Sequence, residues 1–320
     1  MDWLWYLVPK ILLPTFTWPH RILGSVDIAS SIPPTPRLAP RIVRRVFGFL
    51  HPYFRSLSYR YCNWCGIPFN NQLAQLPFGL VLKWSDGTRL EEVAATMLAR
   101  SAGFPVPKII SYGEHPDTPH APVSILMTRV PGSDLGNPEI YEQMSNDERE
   151  TIYTELQYML QVMRNWSHPW GGERICSVLG TAIRSVRIPN HAVGPCESES
   201  EFNNHLFSSL SGHSFLTQDI FEEKVAVAKR LQSVRHAVVF THGDFKHHNI
   251  IVYNSHISGF LDWESAGWYP DYWEFTTPLR FGPKDCWWNA LVLKLGGSKY
   301  LAELESEKAL VPLTVDAWAW

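Results

Sequence analysis

The spacing of apolar residues changes along this chain, and the changes mark its parts. From Gln72 to Trp84 short apolar runs break at Pro77-Phe78-Gly79, which predicts two short strands. Ser85-Asp86-Gly87-Thr88 reads as a turn, and Arg89 to Ala102 then carries Leu90, Val93, Met97 and Leu98 at helical spacing. Gly103 stops that helix and Pro105-Val106-Pro107 blocks its continuation. Residues 108–112 and 123–130 predict two more strands, with a turn at Pro131-Gly132. Beyond this point the period becomes helical. Ser145-Asn146-Asp147-Glu148 is a capping box, and Ile152, Leu156, Met159, Leu160 and Met163 form a stripe. Residues 167–200 are irregular, 200–211 and 221–234 predict helices, and the Trp-rich remainder reads as mostly helical. Short strands are expected at Val238-Val239-Phe240, Ile250-Ile251-Val252 and residues 257–261. The order predicts an α+β chain, a small lobe of strands with one helix followed by a larger, mainly helical lobe. The expected divisions are an N-terminal extension over 1–65, the small lobe over 66–131 and the large lobe over 132–320.

The extension has its own pattern. Met1 to Leu23 is apolar and aromatic (Trp3, Trp5, Tyr6, Phe16, Trp18), but Pro9, Lys10, Pro14 and Pro19 interrupt it too often for a membrane span. Its acidic second residue argues against a secretory signal. Residues 30–40 read as a stiff Pro-rich linker. Then Ile42, Val43, Val46, Phe47 and Leu50 recur at near-helical spacing among Arg41, Arg44 and Arg45, and no acidic residue stands between Asp27 and Asp86. Two readings follow. The favoured one is an amphipathic helix packed on the domain with its arginines in water, and the other is contact of residues 1–60 with an anionic membrane surface.

Composition narrows the class. With 45% hydrophobic and 18% charged residues the chain is folded, and a net charge of −3 gives no reason to expect nucleic-acid binding. Five scattered cysteines argue against a disulfide framework and for a reducing, cytoplasmic compartment. Cys62-Asn63-Trp64-Cys65 has C-x-x-C spacing, but Gly66-Ile67-Pro68 opposes the helix that a redox motif needs after it, and no second ligand pair completes a zinc site. The many tryptophans read as core rather than as ligand walls.

The chemistry concentrates in Thr241-His242-Gly243-Asp244-Phe245-Lys246-His247-His248-Asn249-Ile250, followed by Leu261-Asp262-Trp263-Glu264. Two carboxylates and a carboxamide at these spacings suit phosphoryl transfer, in which the protein positions groups and neutralises charge. Asp244 can orient a hydroxyl, and Asn249 and Asp262 offer oxygen ligands to a hard cation. His247 and His248 would diverge on an extended chain, which disfavours a transition-metal site. No G-x-S-x-G, H-E-x-x-H or dinucleotide fingerprint competes.

With these motifs the chain resembles the aminoglycoside phosphotransferase-like family, which shares the protein-kinase-like fold with choline kinases. Ala266-Gly267-Trp268-Tyr269-Pro270-Asp271-Tyr272-Trp273-Glu274, Leu76 to Lys83 and Gly194-Pro195 resemble its fungal branch. The resemblance spans residues 70–285. It implies a two-lobed kinase-like fold, ATP and Mg²⁺ as cofactors, and transfer to a hydroxyl of a small molecule. Asp244 would be the catalytic carboxylate, Asn249 and Asp262 the metal ligands, and His242 a brace for the loop. Lys246 would stabilise the transferring phosphoryl group, or else stand as a solvated loop lysine. Lys83 would grip the nucleotide phosphates, or else be an exposed edge-strand lysine. Its helix partner would be Glu91 or, by preference, Glu92. Backbone groups of Met127, Thr128 and Val130 would meet the adenine edge.

One departure is plain: no G-x-G-x-x-G loop precedes Lys83, so the phosphates would be covered by the turn at Pro77-Phe78-Gly79 or covered poorly. A catalytically weak, kinase-fold binding or regulatory protein is therefore the alternative. On the acceptor side, Glu264, Asp271, Glu274 and Asp285, with Arg280 and Lys284 nearby, suggest an acidic pocket for an amine or amino-alcohol. The favoured view, implied by the resemblance, makes Glu264 and Glu274 structural acids beside the metal loop. Trp263, Trp268, Trp273, Trp287 and Trp288 would wall such a pocket or fill the core.

Overall fold

A computed structural model of the 320-residue chain describes residues 8–24, 27–280 and 286–314. Trp3, Trp5, Tyr6, Lys284 and Asp285 lie outside the described residues. In chain order come helix α1 (Arg41–Cys65), strands β1 (Leu73–Leu76) and β2 (Leu80–Lys83), α2 (Leu90–Ala102), β3 (Ile109–Glu114), β4 (Val123–Thr128), β5 (Ser133–Asp134), α3 (Pro138–Gln143) and α4 (Asn146–Arg164). There follow the short strands β6 (Cys176–Ser177), β7 (Ile183–Arg184) and β8 (Ala192–Val193), then α5 (Glu199–Phe207), α6 (Gln218–Ala228), β9 (Val238–Thr241), β10 (Ile250–Tyr253), β11 (His256–Phe260), β12 (Gly267–Pro270), α7 (Trp273–Leu279), α8 (Trp287–Lys294) and α9 (Leu301–Thr314). The chain forms two compact units. One takes in residues 1–28, 33–148 and 250–264, and the other 29–32, 149–249 and 265–320.

In the first unit a 4-stranded antiparallel sheet has the order β1-β2-β4-β3. Successive side chains on a strand point to opposite faces. Leu80 and Leu82 of β2 join Ala74, Leu76, Leu126 and Phe54 of α1 in one cluster. Lys83 therefore turns to the other face, where Val93 and Met97 of α2 pack with Tyr112 and Ile125. Because β2 is an inner strand, Lys83 is buried, which corrects the edge-strand alternative. Helix α1 is longer than the apolar pattern suggested and lies on β3 and β1. Its buried residues are Gly48, His51, Ser58, Tyr61 and Cys62. Ile42, Val43 and Val46, expected on the packed side, are exposed instead, because the helix approaches the sheet along the line of Gly48. A Cβ at Gly48 would stand 2.2 Å from the Glu114 carbonyl oxygen, and only glycine allows that approach. The C-x-x-C pair ends α1, with Gly66 in the left-handed region closing the helix. Both cysteines are free thiols, as in a structural role. Also in this unit, β11, β10 and β5 form a 3-stranded sheet that carries the chain to Asp262.

The capping box of α4, at the end of the first unit, and its stripe, in the second, form as expected. Ser145 and Glu148 exchange hydrogen bonds at the helix start, and Ile152, Leu156, Met159, Leu160 and Met163 are all buried. The remainder is less helical than expected, since Gly267–Pro270 is a strand. It sits between β6 and β9 in a 3-stranded sheet and is buried throughout. Each of its residues faces core on both sides, so the two-residue alternation that marks a half-buried strand is absent. Trp268 and Phe240 of β9 pack edge to face at 5.4 Å, and His168 stacks on Trp268. Arg187 lies over Trp273 and pairs with Glu307 in the interior. No helix among the described residues is long and apolar enough to cross a membrane.

Candidate active site

In the first unit the charged cluster gathers around Lys83. Its Nζ lies 2.9 Å from Glu92 Oε1, 2.6 Å from Asp262 Oδ1 and 3.7 Å from Glu264 Oε2. Each partner reaches it for a local reason. Glu92 stands in the first turn of α2, where a carboxylate complements the helix dipole. Asp262 follows β11 with φ +63°, a left-handed conformation uncommon outside glycine and the kind of strain held at functional sites. Glu264 follows in a short 3-10 turn, and its carboxylate fills the space left by Gly87, where a Cβ would come within 1.9 Å of Oε2. The sequence offered Glu264 as a structural acid beside the metal loop or as a pocket wall; it stands beside Asp262, within reach of the same lysine. The D-x-E spacing in a tight turn is the signal that could have shown this.

Burial alone would lower the Lys83 pKa, but Glu92, Asp262 and Glu264 outweigh it and hold the ammonium charged. Burial raises Glu92, with Asp262 and Glu264 adding to the rise and Lys83 opposing it. Three carboxylates whose ligand atoms lie within 4.8 Å of one another face one ammonium. The cluster thus has more negative than positive charge, and Glu92 Oε2 is buried with no hydrogen-bond partner among the described residues. An all-oxygen, negatively charged donor set fits a hard divalent cation.

The second unit holds the loop after β9. Gly243 turns it with φ +84°, and a Cβ there would lie 2.4 Å from the Ser265 carbonyl oxygen. Asp244 is held by its loop neighbours. Asn249 Nδ2 donates to its backbone oxygen at 2.9 Å and to Oδ2 at 3.0 Å, while Lys246 Nζ stands 2.7 Å from Oδ1. The Asn249 nitrogen faces Asp244, which leaves the carboxamide oxygen as the group able to bind a cation. Lys246 is tied to Asp244 rather than solvated alone. His242 is buried and its Nδ1 accepts from the Asp244 N–H. Its own N–H donates to Glu274 Oε2 at 2.6 Å. Glu274 is fully enclosed, and burial pushes its pKa up to about 7 against the pull of the His242 N–H, Arg164 and the Gly243 N–H.

Other expectations are redrawn. Among the described residues, the expected members of the acidic pocket each have another partner. Glu274 supports the loop from below, Asp271 accepts from Tyr300, and Glu264 belongs to the lysine cluster. Trp263, Trp268, Trp273 and Trp288 are buried in the core and Trp287 is half-buried, so the first four wall no open pocket. His247 and His248 lie in a 3-10 turn rather than on an extended chain. Along β4, the Thr128 N–H already donates to Lys108 and the next N–H, from Arg129, to Gly79. Val130 makes no backbone hydrogen bond among the described residues, so its groups stay available. The turn at Pro77-Phe78-Gly79 is occupied from the N-terminal side. The Phe78 N–H donates to Ile11, and Trp18 Nε1 donates to the Phe78 oxygen.

Among solved structures the chain is similar to a thermostable mutant of aminoglycoside phosphotransferase APH(4)-Ia in a ternary complex with ADP and hygromycin B. That match has 13% identity, covers 82% of this chain and 92% of the other, and has a TM-score of 0.51. It is also similar to APH(2")-IIa in complex with gentamicin, at 16% identity, 71% and 74% coverage and a TM-score of 0.46. A third is a choline/ethanolamine kinase family protein from Mesorhizobium loti, at 13% identity, 78% and 75% coverage and a TM-score of 0.47. The first of these likenesses shows the fold, which is the two-lobed, α+β, protein-kinase-like one. Among curated proteins no sequence match is found. The family profile described as "Phosphotransferase enzyme family" matches residues 80–287, more than half of the chain, and takes in Lys83, Glu92, Asp244, Asn249 and Asp262. The chain belongs to the phosphotransferase enzyme family.

Proposed function

We propose that the protein is an ATP- and Mg²⁺-dependent phosphotransferase that acts on a hydroxyl of a small molecule, with amino-alcohols as the first class to test. The observation that carries this reading is the pairing of buried Lys83 with both Glu92 and Asp262. A buried lysine with two carboxylates on separate elements is the arrangement a kinase uses to hold nucleotide phosphates beside a metal. Asp244 is the proposed catalytic carboxylate, aiming the acceptor hydroxyl and receiving its proton. Lys246 and Asn249 hold that carboxylate in place, and Lys246 is poised to meet charge on the transferring group. Asp262 and the Asn249 carboxamide oxygen are the proposed metal ligands. When bound, the cation would neutralise the phosphate oxygens and orient them. Met127, Thr128 and Val130 are the proposed adenine-edge residues, Val130 through its available backbone groups. We further propose 66–131 as the nucleotide-binding lobe, 132–320 as the lobe of the catalytic and metal loops and the acceptor site, and 1–65 as an extension.

A second reading has one observation in its favour. The turn at Pro77-Phe78-Gly79, expected to cover phosphates, is bound to Ile11 and Trp18, and no glycine-rich loop precedes Lys83. That supports a weak or regulatory kinase-fold protein. Turnover decides between the two. Purified protein is incubated with Mg²⁺–ATP and a panel of hydroxyl-bearing amines, alcohols and sugars, and ADP release is followed. The enzyme reading expects acceptor-dependent ADP release that Asp244→Asn lowers by about 10²–10⁴-fold. Nucleotide binding should survive in that variant and weaken in Asp262→Asn. Equal turnover in wild type and Asp244→Asn would remove the site assignment.

A further inference from the structure

The outer face of α1 carries a row of exposed apolar side chains. The helix has 25 residues, about 37 Å at 1.5 Å per residue. Opposite its buried line, Ile42, Val46, Phe49, Tyr53, Leu57 and Trp64 recur at steps of three, four and seven residues. All six are exposed, Ile42 to 74%, Phe49 to 67% and Tyr53 to 61%. Scattered exposed apolar residues are ordinary on a folded surface, but a contiguous stripe of this length marks an interaction face.

The charge on this face is of one sign. Arg41, Arg45 and Arg60 are exposed, and none has an ion pair among the described residues. At about 100° per residue Arg60 falls inside the stripe and Arg45 on its border. The other two arginines of the helix are used inward, Arg44 to Glu114 at 3.0 Å and Arg55 over the Trp84 ring at 4.5 Å. No acidic residue occurs anywhere between Asp27 and Asp86. This charge decides what the face fits. A second copy packed face to face would oppose arginine to arginine. A surface that is both apolar beneath and anionic above matches both properties of the stripe.

We propose that the outer face of α1 docks the protein on an anionic lipid surface, with Phe49 and Tyr53 at the boundary of headgroups and acyl chains and Arg45 and Arg60 against the headgroups. The inner face fixes the helix on β3 and β1, so the binding face is already folded and needs no ordering on contact. Because each arginine near such a surface contributes about a factor of five, the pair contributes roughly 25-fold.

The test is flotation of the full chain with phosphatidylserine–phosphatidylcholine vesicles and with phosphatidylcholine vesicles alone. Binding to the mixed vesicles is expected, much weaker binding to the neutral ones, and a decline as salt rises. Arg45→Gln with Arg60→Gln should reduce binding to mixed vesicles by about 25-fold. Phe49→Glu with Tyr53→Glu should abolish it. Both pairs are exposed, so circular dichroism and melting temperature should match wild type. No binding to mixed vesicles overturns the proposal, and so does binding that both variants retain or that neutral vesicles match. Sedimentation that shows a dimer dissociated by Phe49→Glu overturns it too, since a second copy would then cover the face.

Discussion

At the residue scale, Asp244 and Glu274 illustrate two uses of a carboxylate. Asp244 is partly open and held by charge and hydrogen bonds. Glu274 is enclosed, and its job is to hold the backbone that presents Asp244. That enclosure has a measurable cost. Its pKa rises from the ordinary 4.5 to about 7, mainly through burial. Between those values the folded protein keeps a proton that the unfolded chain has released. The stabilising contribution is therefore complete below pH 4.5 and is lost as pH rises through about 7. The loss is on the order of 3 kcal/mol. Glu274→Gln keeps an oxygen for the His242 N–H and has no proton to lose. Urea denaturation of both proteins from pH 5 to pH 8 should show the variant gaining on wild type by up to that amount as pH rises. A constant difference across the range would mean that Glu274 is already ionised at pH 5.

Among the elements, α1 and β2 show why local pattern and packing disagree. A glycine inside a helix costs about 1 kcal/mol relative to alanine, so propensity alone favours Gly48→Ala. Packing gives the opposite sign, because the new Cβ would stand 2.2 Å from the Glu114 carbonyl. The clash is with backbone, which cannot turn away, so the variant should lose on the order of 2 kcal/mol. Thermal melting would check it, and a stabilised variant would show that helix and sheet are not in close contact. The two strands of the hairpin and α2 were legible in sequence because turns and a glycine stop bound them sharply. The buried strand at Gly267–Pro270 was not, because its neighbours cover both of its faces. The same reasoning explains α1. Its apolar residues point both toward the sheet and away from it, and periodicity cannot say which side the sheet takes.

For the whole molecule, the residues proposed to act together come from distant parts of the chain. Lys83, Glu92, Asp262 and Glu264 belong to one compact unit, with Asp244, Lys246 and Asn249 in the other. A ligand that binds only the folded protein stabilises it by mass action. Mg²⁺–ATP at about one hundred times its Kd should therefore add about 2.7 kcal/mol to the unfolding free energy. Lys83→Met and EDTA should each abolish that gain, while Asp244→Asn should keep it. Urea unfolding with and without nucleotide makes the comparison. Absence of any stabilisation in the wild-type protein at saturating nucleotide would count against ATP as the cofactor.

The polar motif around Asp244 and Asp262, the helix stripe of α4 and the strand that ends in Lys83 follow from the sequence alone, because each depends on neighbours within a few positions. The company Lys83 keeps depends on residues 179 positions apart, Lys83 and Asp262, which no local spacing relates. The same is true of Glu264 filling the space at Gly87 and of Glu274 beneath His242. The tertiary structure also decided which side of α1 meets the sheet, since the close approach at Gly48 turns the helix and leaves Phe49 and Tyr53 outside.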